Sequence, residues 1–84
     1  MTLERRLEEI RTRDDLATFV AELARELQRA PDDWSNTRLD SFLDAMSRWI
    51  HDMDGYYANR GEETPKHPRW QTIGQILMAA TMYE

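Results

Sequence analysis

Between Leu16 and Leu27 the apolar residues fall at Leu16, Phe19, Val20, Leu23 and Leu27, an i, i+3, i+4, i+7, i+11 series. At about 3.6 residues per turn that series returns to one side of the chain, so the segment reads as an amphipathic helix. The same period governs the other apolar stretches, and no segment alternates with the period of two that marks a strand. The sequence therefore predicts an all-α fold. With 84 residues there is room for one domain, 1–84, and for a compact bundle of about four helices, the first one short. A chain of this size buries only roughly 60–65% of the surface its unfolded form exposes. Three Trp, three Tyr and two Phe must therefore carry much of the core.

Leu3, Leu7 and Ile10 form a first, short stripe. Its continuation near residues 14, 17 and 21 meets Asp14, Ala17 and Ala21 instead, and the new stripe begins at Leu16. This jump of phase predicts a break near Thr12, with Thr12 capping the second helix and Asp15 completing the capping pair three residues on. Ala30-Pro31 ends that helix, because proline disfavours helical geometry at the residue before it. Pro31 to Asn36 reads as a connector, after which Asn36 or Thr37 is expected to cap a third helix.

The third helix carries Leu39, Phe42, Leu43, Met46, Trp49, Ile50 and Met53, a wide stripe of the kind a central helix needs. Asp40, Asp44, Ser47, His51 and Asp54 fall on its other face. Two readings of its end remain open: a stop at Asp54-Gly55, or continuation through Tyr56-Tyr57 to Gly61. Gly61 to Pro68 is a loop, and Pro68 suits the first turn of a last helix. That helix would bury Trp70, Ile73, Ile76, Leu77 and Ala80. Gly74 inside it lowers helix propensity by about 1 kcal/mol relative to Ala, which points to close approach of another helix. The final Tyr83-Glu84 is expected to be packed.

The charge of −5 is concentrated in the middle of the chain. Residues 32–54 hold six acids against Arg38 and Arg48, while the flanking stretches nearly balance. Such a surface repels phosphate backbones, which disfavours nucleic acid, and it attracts a basic protein. The absence of cysteine removes disulfides, thiolate metal sites and a cysteine nucleophile. Together with the charged N-terminal residues it suggests a cytoplasmic protein, and no apolar run approaches a membrane span.

Patterns with chemical content are few. Asp52-Met53-Asp54-Gly55 resembles the middle of a calcium loop, but in that register Ile50 and Gly61 occupy the first and last ligand positions, and neither can serve. His51 and His67 lack metal-ligand spacing. No phosphate loop and no nucleophile–base pattern occurs. Asp44, Arg48 and Asp52 follow at intervals of four and read as surface ion pairs. No catalytic residue, metal or cofactor is expected, and the chain reads as a non-enzymatic binding module. The candidate partner-binding residues are Trp34, Asp40, Asp44, Asp54, Tyr56 and Tyr57, aromatic anchors beside carboxylates. The alternative is a self-associating module that uses its aromatic surplus as a homodimer interface.

These residues fall in a longer pattern. Trp34-x-Asn36, Leu39-x-x-Phe42-Leu43, Trp49-Ile50-x-Asp52-Met53-Asp54-Gly55-Tyr56-Tyr57-x-Asn59-x-Gly61, Pro65, Pro68-x-Trp70 and Ile76-Leu77-x-Ala79-Ala80-x-x-Tyr83-Glu84 follow in order. From Leu16 onward the chain resembles a family of small bacterial proteins classed as a domain of unknown function. Ser35 stands where relatives commonly carry Glu. The resemblance implies a small fold in a bacterial setting. By size and charge, such proteins are similar to immunity proteins, which neutralise a toxin by tight binding.

Overall fold

The structure, a computed structural model, describes residues 2–84. Four α-helices follow in order: α1 (Leu3–Glu8), α2 (Arg13–Arg29), α3 (Leu39–Asn59) and α4 (Trp70–Met82). A single 3-10 turn, Pro31–Asp33, links α2 to the connector, and no strand occurs among the described residues.

The break at Thr12 is built as its residue types require. The Asp15 N–H donates to Thr12 Oγ1 at 3.1 Å, and Asp15 Oδ2 accepts from the N–H groups of Thr12 and Arg11. These donors hold the Asp15 carboxyl below its ordinary value of 3.8, the Arg11 N–H contributing most. Two orphan donors of the first turn of α2 are thereby satisfied.

α4, rather than α3, is the central helix. It packs against α1, α2 and α3, whereas the α3 backbone comes close to α4 and to neither α1 nor α2 among the described residues. The main core forms where α1, α2 and α4 meet, with Leu7, Ile10, Phe19 and Leu23 buried and Leu16, Leu77 and Met78 packed around them. Gly74 sits at this junction. A methyl group there would lie 2.6 Å from Ile10 Cδ1 and 3.1 Å from Leu7 Cδ1, so the absent side chain is what lets α1 settle on α4.

Two side-chain amides finish helices to which they do not belong. Gln71 Nε2 donates to the carbonyls of Leu7 and Glu8 at the end of α1, at 3.2 Å each. Asn36 Nδ2 donates to the carbonyls of Ala80 and Tyr83 at 2.9 Å each, and the Ser35 and Asn36 N–H groups both reach the Thr81 carbonyl. The last turn of α4, whose carbonyls have no partners within the helix, is closed by the connector. Asn36 therefore does not cap α3, and neither does Thr37. That helix begins at Leu39 after Arg38, with no side-chain cap. Pro68 likewise lies outside α4, which starts at Trp70. The Arg69 N–H there donates to Thr72 Oγ1 at 3.1 Å.

α3 passes straight through Gly55 and ends at Asn59. Gly61 follows with φ +71°, its N–H donates to the Ala58 carbonyl, and the Glu62 N–H donates to the Tyr57 carbonyl. This is the paired closure of a helix by a left-handed glycine.

Candidate protein-binding face

The apolar residues of α3 divide into two parallel rows. The inner row is Phe42, Ala45, Trp49 and Tyr56. Ala45 and Trp49 are buried, Phe42 stacks on Trp34 with ring centroids 6.3 Å apart, and Tyr56 tilts against Trp49 at 5.4 Å. The outer row is Leu39, Leu43, Met46, Ile50, Met53 and Tyr57. Leu39 is 73% exposed, Leu43 51% and Ile50 44%, while Met46, Met53 and Tyr57 are half-buried. At about 100° per residue the exposed trio and Tyr57 lie within about 40° of one another around the helix. One long helix thus carries more apolar surface than α4 covers, and the surplus forms a continuous strip.

The three candidate carboxylates on α3 all reach solvent, and they differ in what holds them. Asp40 is bound by Arg38, Nε to Oδ1 at 3.1 Å, and that guanidinium is the main cause of a carboxyl held below its ordinary value of 3.8. Asp44 pairs with Arg48 at 3.1 Å, as the spacing of four predicts. Asp54 makes no ion pair among the described residues. Asp40 and Asp54 border the outer row on the side away from α4, with Ser47 between them. Asp44 lies further round.

Arg48 does not extend its pairing to Asp52. It donates instead to the Glu84 carbonyl and lies over the Tyr83 ring, 5.7 Å from the centroid. Asp52 accepts from the Tyr83 hydroxyl. This hydrogen bond is the first cause of both an Asp52 carboxyl held down and a Tyr83 hydroxyl pushed up from their ordinary values. The Tyr83-Glu84 end is therefore packed on α3, and Asp52 belongs to that clasp.

The tyrosine pair splits as adjacent helical residues must. The rings meet edge to face at 5.1 Å. Tyr56 faces inward, and its hydroxyl accepts from Arg60 Nη1 at 2.7 Å with the guanidinium over its ring. Tyr57 closes the outer row, and burial pushes its hydroxyl above the usual value. Trp34 is half-buried against the α1/α2/α4 core and against Phe42, so its ring is engaged within the fold. The six candidates are thus not one cluster. Asp40, Asp54 and Tyr57 gather along the outer row, Asp44 stands beyond them, and Trp34 and Tyr56 back the row from inside.

A concave feature lies on α4. An open groove of about 910 Å³ runs along Gln75, Met78 and Met82, between α1 and the Glu62–Lys66 loop, with Tyr56 and Tyr57 at one side. Its rim mixes Glu4, Glu8 and Glu63 with Lys66 and Arg69. Among the described residues, no three His, Asp or Glu side chains converge as metal ligands, and no helix is long and apolar enough to cross a membrane.

The fold and its half-covered helix define a small all-α protein with an apolar, acid-bordered face. The chain belongs to DUF7660, a family of unknown function, whose model matches residues 12–84. All six candidate residues fall inside the match, and α1 falls outside it. No curated protein and no solved structure matches the chain.

Proposed function

We propose that this protein is a non-enzymatic binding module whose α3 face engages a basic protein partner, in the manner of an immunity-like or regulatory protein. The observation that carries the reading is the outer row itself. Leu39, Leu43 and Ile50 stand exposed in line, with Asp40 and Asp54 along one border. Scattered exposed apolar residues are ordinary on a protein surface, whereas an aligned strip rimmed by polar groups is a feature of interaction sites. Tyr57 supplies the aromatic anchor at one end, and the carboxylates supply steering. A chain without cysteine suits the reducing cytoplasm as the place of that encounter.

The test is kinetic. With a captured basic partner, the Asp40→Asn/Asp44→Asn/Asp54→Asn variant should melt near the wild type and associate more slowly. Clustered charge of this kind raises association rates by roughly 10- to 1000-fold at low salt. The wild-type rate should fall as salt rises, and that of the variant should not. Equal, salt-independent rates for the two proteins would reduce the carboxylates to a solvated face and remove the proposal.

A further inference from the structure

The outer row has a period as well as a polarity. Leu39, Leu43, Met46, Ile50, Met53 and Tyr57 follow at intervals of four, three, four, three and four. This 3.5-residue repeat is the seam that one helix offers another in knobs-into-holes packing. It spans about 27 Å of helix at about 1.5 Å per residue. In that register one edge of the seam is formed by Phe42, Trp49 and Tyr56, which the fold already uses, and the other by Asp40, Ser47 and Asp54. Only the second edge is open.

Building on the binding role proposed above, we infer that the outer row receives an amphipathic helix of a different protein, one with the same 3.5-residue apolar repeat and with Lys or Arg along the edge that meets Asp40 and Asp54. A second copy of this chain fits poorly in either direction. Antiparallel pairing that sets Leu39 against Tyr57 of the second copy also brings Asp54 of that copy beside Asp40, whose Arg38 guanidinium is already engaged, so two carboxylates share one cation at each end of the contact. Parallel pairing turns the acidic edge toward Phe42, Trp49 and Tyr56 of the second copy, where Trp34 and α4 already stand. A basic helix meets neither obstacle. Its cations would meet Asp54, which makes no ion pair among the described residues, and Asp40, which they would share with Arg38, and charges along a seam edge set partner choice in paired helices.

The probe is a 21-residue helical peptide with Ile and Leu at the seam positions and Lys at both flanking positions, whose own charges keep it from self-pairing. Its twin carries Glu at the flanks. Isothermal titration at low salt should show the Lys peptide binding at least about tenfold tighter than the Glu peptide. Ile50→Asp, at an exposed position, should abolish binding while the helical spectrum is kept. Asp40→Lys/Asp54→Lys should reverse the preference between the two peptides. Equal affinity for both peptides, no binding of either, or binding indifferent to Ile50→Asp would overturn the inference. So would a dimer of the free protein in sedimentation velocity that Ile50→Asp disperses, since that would give the row to a second copy. If the peptides fail while the triple Asn variant still slows association with a captured partner, the helical mode falls and the binding role stands. If the triple variant changes nothing, the binding role falls first.

Discussion

Phe19 and Ile50 are both large apolar residues on amphipathic helices, yet Phe19 is 2% exposed and Ile50 44%. The difference lies in how many neighbours each helix has. α2 packs against both α1 and α4, so Phe19 and Leu23 are closed over, while Val20 at the margin of the stripe stays 42% exposed. α3 has α4 alone, so only a band as wide as one neighbour is covered. The first region spends its apolar residues on stability. The second leaves Leu39, Leu43 and Ile50 at the surface, although a domain this small has little core to spare. A helix with surplus apolar width and one neighbour is the part of this molecule suited to take another.

Predictions drawn from that contrast begin with the closed region. Phe19→Ala should destabilise the fold by about 3–5 kcal/mol, the range for emptying an aromatic core site. Denaturant unfolding reads the loss, and a change under 1 kcal/mol would mean the α1/α2/α4 core does not hold the fold.

The tie between the two regions is Asn36. Asn36→Ala leaves the Ala80 and Tyr83 carbonyls without their amide donor and should cost about 1–3 kcal/mol. Amide exchange should quicken in the last turn of α4 more than in α2. Uniform quickening would show that the connector braces the whole fold and not the α3–α4 junction.

Two glycines give opposite signs. Gly74→Ala gains about 1 kcal/mol of helix propensity but drives a methyl into Ile10 and Leu7, an overpacking cost of about 1–3 kcal/mol, so a net loss near 1 kcal/mol is expected. Gly55 has open space around it within a helical turn, and Gly55→Ala should stabilise by about 0.5–1 kcal/mol. Melting temperatures that moved the same way would contradict the close approach at Gly74 or the continuity of α3 at Gly55.

The smallest effect concerns pH. Asp52 titrates below its ordinary value in the folded state, so as pH falls the unfolded chain takes up protons first. The contribution of the Tyr83–Asp52 hydrogen bond is present above about pH 4 and is lost as pH drops through the depressed value. Tyr83 is shifted the other way, so the same bond is kept below about pH 10 and lost above it as the hydroxyl ionises. Tyr83→Phe should therefore show a flatter dependence of melting temperature on pH at both extremes. A profile identical to the wild type would free Asp52 from the clasp.

Local chemistry was legible in the sequence, and long-range satisfaction was not. The Thr12–Asp15 cap lies within three residues, and the Gly74 contact follows from a glycine placed where a helix disfavours it. Both were readable. Asn36 looked like a helix cap because its type suits that role, but its amide serves carbonyls 44 and 47 residues away. Nothing in its neighbourhood announces that. The end of α3 was ambiguous because Gly55 and Gly61 can each stop a helix. Tyr56 packing on Trp49 and the left-handed φ at Gly61 decide for the second.

On the candidate face, charge and residue type single out the carboxylates and Tyr57 as candidates, while the division of the stripe into two rows does not follow from them. Its signal was present as the four-three alternation from Leu39 to Tyr57. A single wide stripe and two adjacent seams contain the same residues, and only the position of α4 separates them. Trp70 shows the converse. It fits the apolar period of α4 yet is 43% exposed, because it opens the first turn of its helix, where few neighbours reach.

The central claim is that α3 carries one row that the fold covers and one that it leaves open, and Trp49 and Ile50, adjacent in the chain, stand on different rows. Urea unfolding of Trp49→Ala and Ile50→Ala measures the two rows side by side. Trp49→Ala should lose about 3–5 kcal/mol, as a buried aromatic does. Ile50→Ala should lose no more than about 1 kcal/mol, since the residue is half-exposed and alanine is the better helix former. Comparable losses from the two variants would place Ile50 in the core and contradict the division of α3 into two rows.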